Sequence, residues 1–165
     1  MEKLPPLEKV YEAWSAVADG RVALHPDERR ATVASSNGAK AYTVTWSEDG
    51  STYSSNDSAT YWQGYAGYPV IAVLMLQDRL PFDRAMAEQF AHVDWTELNE
   101  RFRRDYAAAV RAAVEERGLD ATQVEAAAHE AYAALGTLEI AIKRGSARPP
   151  KSQKLQDGAP ARQGS

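Results

Sequence analysis

The sequence predicts an α+β fold: an N-terminal helix, an antiparallel β-meander of three or four strands, then a helical C-terminal half ending in a helical hairpin. Three observations carry this. Apolar residues recur three and four apart over residues 4–18, two apart over residues 30–54, and three and four apart again from residue 83 onward. A chain of 165 residues, 44% hydrophobic and 25% charged, can bury one core unaided by disulfides or a structural metal. Residues 1–145 read as a single domain. Residues 146–165, with Pro149-Pro150 among Ser, Gln, Lys, Gly and Ala, read as a disordered basic tail.

The first helix carries Leu7, Val10, Tyr11, Trp14, Val17 and Ala18 on one stripe. Pro5 and Pro6 suit its first turn, and Asp19-Gly20 ends it. Tyr42, Val44 and Trp46 then alternate with Ala41, Thr43 and Thr45, the mark of a strand with one packed face. Residues 30–35 supply its partner across an Asn37-Gly38 turn. Glu48-Asp49-Gly50 turns the chain into a short strand at 51–54, and residues 22–24 offer an added edge strand.

Residues 70–76 are apolar throughout and fit a buried strand or a buried helix. Pro69 at a first turn and Leu80-Pro81 as a stop favour the helix. Asp83 caps a short helix over 83–91, with Phe82 placed to staple against Ala87. Asp94 with Glu97 opens a longer helix along Leu98, Phe102, Tyr106, Val110 and Val114, which Gly118 closes. On its outer face Glu97–Arg101 and Glu100–Arg104 are spaced as solvated ion pairs. Asp120 with Gln123 opens the last helix, whose stripe is Val124, Ala128, Ala131, Leu135, Leu138 and Ile142. Lys143 and Arg144 fall at its negative end.

Much chemistry is excluded. With no cysteine, disulfides, thiolate metal sites and a cysteine nucleophile are impossible. His25, His92 and His129 are too far apart for a helical His-x-x-x-His zinc site, so no metal is expected. No Gly-x-Ser-x-Gly elbow occurs, and no catalytic residue is assigned. Gly64 and Gly67 precede a helix start, where amides can hold an anion, but they lack the P-loop Lys-Ser/Thr and the dinucleotide fingerprint; no cofactor is expected.

Residues 1–144 hold 15 Lys+Arg against 22 Asp+Glu, a net −7 that repels nucleic acid. Only the tail is cationic, so contact with nucleic acid is expected to be weak and confined to residues 146–165. Residues 1–6 show no export pattern, and the apolar run 68–76 falls short of the ~20 residues that span a bilayer. A cytoplasmic protein without membrane association is expected.

The leading functional candidate is the aromatic segment Tyr61, Trp62, Tyr65 and Tyr68, with Trp46, Tyr53 and Tyr42 beside it on the sheet. Large rings with polar tips suit contacts. The expectation is a small non-enzymatic binding or interaction module with a protein partner or a second copy of itself. The alternative is a small-molecule binder or small enzyme, with a pocket between sheet and helices floored by these aromatics and supplied with polar groups by Asn56, Asp57 and His92.

Overall fold

The computed structural model describes residues 1–151. Its elements are α1 (Lys9–Ala18), β1 (Val22–His25), β2 (Arg30–Ala34), β3 (Ala41–Trp46), β4 (Thr52–Ser55), α2 (Tyr68–Leu76), α3 (Arg84–Glu88), α4 (Trp95–Arg101), α5 (Tyr106–Glu116), α6 (Ala121–Thr137) and β5 (Ala141–Arg144). A π-helical turn, Ala59–Gln63, lies between β4 and α2. This is the α+β arrangement of the sequence reading, with α5 and α6 following one another across Gly118 (φ +63°) and a fifth strand, β5, after them.

The sheet has five strands in the order β1-β2-β3-β4-β5. β1 to β4 form the antiparallel meander, with Val33 opposite Tyr42 and Trp46 opposite Tyr53. α2 packs on this sheet, α1 packs on α2, and α3 and α6 lean on α1. The buried element is thus a helix, with Pro69 in its first turn. Lys9 to Val17 of α1 are all buried, and Tyr11, Trp14 and Phe90 form a ring cluster with centroids 5.2–5.6 Å apart. Trp95 Nε1 donates to Ser15 Oγ at 2.7 Å, satisfying two buried polar groups at once.

Four local expectations are corrected. α1 starts at Lys9, so Pro5 and Pro6 precede it. The long helix from Asp94 is two helices: Arg103 (φ 53°) and Arg104 (φ 66°) break it, and Asp105 caps α5 by accepting from the Ala108 amide. Arg104 therefore makes no helical pair with Glu100, whereas Arg101 Nη2 lies 2.7 Å from Glu97. The last helix ends at Thr137, and residues 141–144 form β5, parallel to β4. Lys143 and Arg144 thus sit on an edge strand rather than at a helix end. The reason is a second reading of the same residues: Ile140 and Ile142 also alternate with Ala141 and Lys143, and β4 offered an unpaired edge.

Beyond β5, Asn56 Nδ2 donates to Arg148 O at 3.4 Å, so residue 148 touches the domain. The remainder of the expected tail, 152–165, lies outside the described residues.

Candidate functional site

Lys9 and Glu12 lie three apart on α1 and so share a face. Because α1 is enclosed on every side, that face is interior: Lys9 Nζ sits 3.2 Å from Glu12 Oε2, and the two side chains are only 9% and 7% exposed. Lys9 Nζ also stands 4.3 Å from the centre of the Tyr106 ring. Beside this pair Arg21 donates from Nε to Asp19 Oδ2 (3.3 Å) and from Nη1 to Ala34 O (2.6 Å), while its buried Nη2 has no hydrogen-bond partner among the described residues.

Across from α1, the loop after β4 buries Asp57. Its Oδ1 accepts from Ser55 Oγ and Thr60 Oγ1 (2.8 Å), and its Oδ2 from the Thr60 amide (3.0 Å). Tyr42 from β3 and Tyr68 from the start of α2 meet edge to face with ring centres 6.3 Å apart. Lys9, Glu12, Arg21, Tyr42, Asp57 and Tyr68 line a half-open cavity of about 170 Å³, completed by the β2–β3 hairpin and by Trp95, Thr96 and Asn99 of α4.

Burial and the Asp57 and Glu12 carboxylates push the Tyr42 phenol up to about 12, with Arg21 opposing. Burial raises Tyr68 further still, assisted by Tyr42 and opposed by Arg21. Burial pulls Lys9 down, but the Glu12 carboxylate and its neighbours outweigh this and hold it above its ordinary value. The cavity at neutral pH therefore holds a charged ammonium and two neutral phenols. Arg21, whose buried Nη2 has no partner among the described residues, lines it together with Glu12 and Tyr42.

These shifts predict alkaline instability. Groups that keep their protons longer when folded stabilise the fold below the unfolded values near 10, and this contribution is lost as pH climbs through the folded ones. The melting temperature is expected to fall steeply between pH 10 and about 12, the folded value of Tyr11 and Tyr42. Tyr42→Phe should flatten the fall, as thermal denaturation across that range would read out.

The aromatic segment divides. Tyr68 faces the cavity, whereas Trp62 is 60% exposed. Tyr61 meets Trp62 edge to face at 4.6 Å, and the Arg144 guanidinium lies 4.5 Å from the Tyr61 ring centre. Tyr65 is half-buried, with Lys3 Nζ 5.6 Å from its ring. Tyr53 is fully buried; its hydroxyl donates to Gln77 Oε1 and accepts from Arg79, and its ring stacks on the half-buried Trp46 at 6.1 Å. Tyr53 is therefore core.

Gly64 closes the π-helical turn at φ +77°, its amide donating to Thr60 O, and the Gly67 amide donates to Thr60 Oγ1 at 3.0 Å. Both amides are spent within the chain, and Asp57 puts its own carboxylate against Gly67. Asn56 Oδ1 accepts from the Thr43 amide, and the exposed His92 turns at φ 63° beside Asp19; neither lines the cavity. Of the three polar residues expected in a pocket, only Asp57 is there.

Lys9, Glu12 and Arg21 were not singled out by the sequence reading. A signal for the pair was present: Val10, Tyr11, Ala13, Trp14, Ala16 and Val17 leave α1 no broad polar side on which Lys9 and Glu12 could be solvated. Among the described residues, no group of three or more His, Asp and Glu side chains could hold a metal ion, and no helix is long and apolar enough to cross a membrane.

No curated protein and no solved structure matches the chain. The model of a family described as "Uncharacterised conserved protein UCP014422" matches residues 2–141, a span that includes every residue lining the cavity. The chain belongs to that family.

Proposed function

We propose that the protein binds a small, strongly polar molecule in the cavity between α1, the β2–β3 hairpin and α2. The observation that carries this is the buried Arg21 Nη2, which has no hydrogen-bond partner among the described residues and belongs to a residue that lines the cavity beside the buried Lys9–Glu12 pair. Buried charges are poor stabilisers, since apolar replacements of equal volume usually do as well or better, so their concentration around a cavity favours a ligand role. An engineered cavity of about 150 Å³ takes benzene. The space here suits a ligand of similar size that offers acceptors to Lys9, Arg21 and the phenols and donors to Glu12.

The test is a thermal-shift screen of the full chain against amino acids, organic acids, sugars and nucleotides. A ligand at 100 times its Kd adds about 2.7 kcal/mol, a shift of several degrees. Tyr42→Phe should weaken a hit by about tenfold, the worth of one buried hydrogen bond. A hit that Tyr42→Phe and Arg21→Met both leave untouched would place the ligand elsewhere and overturn the reading.

The exposure of Trp62 favours a second reading, that of an interaction module whose Trp62–Tyr61 patch meets a protein partner or a second copy of the chain. Trp62→Ala is expected to abolish such a contact in sedimentation or pull-down while changing stability by no more than about 0.5 kcal/mol. Association or capture undiminished by Trp62→Ala would overturn this second reading. The cysteine-free, acidic composition fits a cytoplasmic setting for either role.

A further inference from the structure

Two features of the polar cavity bear on the kind of molecule that completes it. The first is a donor without an acceptor. The Arg21 side chain is 12% exposed, and it spends Nε on Asp19 Oδ2 and Nη1 on Ala34 O. Its Nη2 is the one buried side-chain nitrogen or oxygen among the described residues that has no hydrogen-bond partner. Leaving a charged donor stranded costs more than leaving a neutral one, so the site lacks an acceptor, best supplied as an anionic oxygen.

The second is a carboxylate without a cation. Asp57 lines the same cavity and is 4% exposed. Ser55 and Thr60 hold its orientation with three donors, but no basic group forms an ion pair with it among the described residues. The other buried charges here are matched, Lys9 with Glu12 and Arg21 with Asp19, so Asp57 is the excess. A bare anion would satisfy Arg21 and deepen that excess. A bare cation would offset Asp57 and leave Nη2 stranded.

We propose that the cavity binds a small zwitterion, an α-amino acid with a short side chain, its carboxylate on Arg21 and its ammonium toward Asp57 and Glu12. This rests on the polar-ligand reading of the same cavity and names the class of ligand. One molecule then supplies both the missing acceptor and the missing positive charge, and it adds no net charge to a buried site. Charge-assisted bonds of both kinds are about twice as strong as neutral ones. Size agrees: a cavity of about 170 Å³ is close to the ~150 Å³ that holds benzene, so roughly six heavy atoms fit, the number in alanine.

The test is calorimetric titration of the full chain at pH 7 with L-alanine, alaninamide, propanoate and ethylammonium. Alanine is expected to bind saturably. Alaninamide and ethylammonium, which lack the carboxylate, and propanoate, which lacks the ammonium, should each bind at least about tenfold more weakly. Arg21→Lys, which keeps the charge and loses Nη2, should weaken alanine by about tenfold or more. The probe series is read on the unaltered protein, so it decides the matter even if that variant fails to fold. Propanoate or ethylammonium binding as tightly as alanine, or no binding of alanine, would overturn the zwitterion assignment. The wider reading is separable: it survives if another polar compound from the thermal-shift panel loses binding in Arg21→Met and Tyr42→Phe, and it falls together with this one if none does.

Discussion

Glu12→Gln, made alone, is expected to destabilise the domain by about 3–5 kcal/mol, whereas Lys9→Met together with Glu12→Leu should leave stability unchanged or raise it. The asymmetry follows from burial. The two side chains are 9% and 7% exposed, so removing one charge leaves the other buried without its partner. Removing both replaces a costly pair with methyl and methylene groups that suit a helix otherwise lined by valine, alanine and aromatics. Urea unfolding midpoints at pH 7 measure the difference. The double variant also separates structure from function: a folded, stable protein that no longer responds to any cavity ligand means that the pair is kept for binding. A double variant as unstable as the single one means that the pair holds α1 in place.

Gly67→Ala should cost about 3 kcal/mol or more. Glycine is required here for space, not for backbone freedom: its φ of −71° is open to any residue, but a Cβ would fall 2.0 Å from Asp57 Oδ2. That oxygen cannot retreat, because Ser55 and Thr60 hold the carboxylate through three donors. Asp57→Ala alone should also destabilise, by about 1–3 kcal/mol for each donor stranded in the interior. In the double variant the clash is gone, so the combined cost should fall short of the sum by about 1 kcal/mol or more in a double-mutant cycle. Strict additivity would mean that Gly67 is constrained by something other than Asp57.

Local chemistry was legible in the sequence. Asp83, Asp94 and Asp120 were read as caps, and each accepts from amides in the first turn of its helix. The alternation of Tyr42, Val44 and Trp46 located β3, and Pro69 located the start of α2. What escaped depends on distant partners. The break before Asp105 interrupts an apolar stripe that continues in register on paper, and β5 exists because β4 had a free edge, a fact no window around Ile140 contains. The cavity escaped for the same reason. Lys9 and Glu12 have the spacing of an ordinary solvated pair, and only the enclosure of α1 makes them interior. Tyr42 and Tyr68 meet because β3 and α2 pack together, while Trp62, six residues before Tyr68, points outward across the π-helical turn.

The parallel pairing of β5 with β4 has a bearing on how the protein is made. The sheet is completed only when residues 141–144 reach 52–55, and Tyr132 likewise donates to Pro5 O across a still longer span of 127 residues. On the ribosome, the meander and α1 emerge long before the strand and helix that cover them. Contacts of such separation form late and slow folding, and an uncovered β4 edge is sticky in the interval. Nascent chains halted before residue 141 should therefore be the aggregating species, and release of the last strand the moment at which the domain becomes safe.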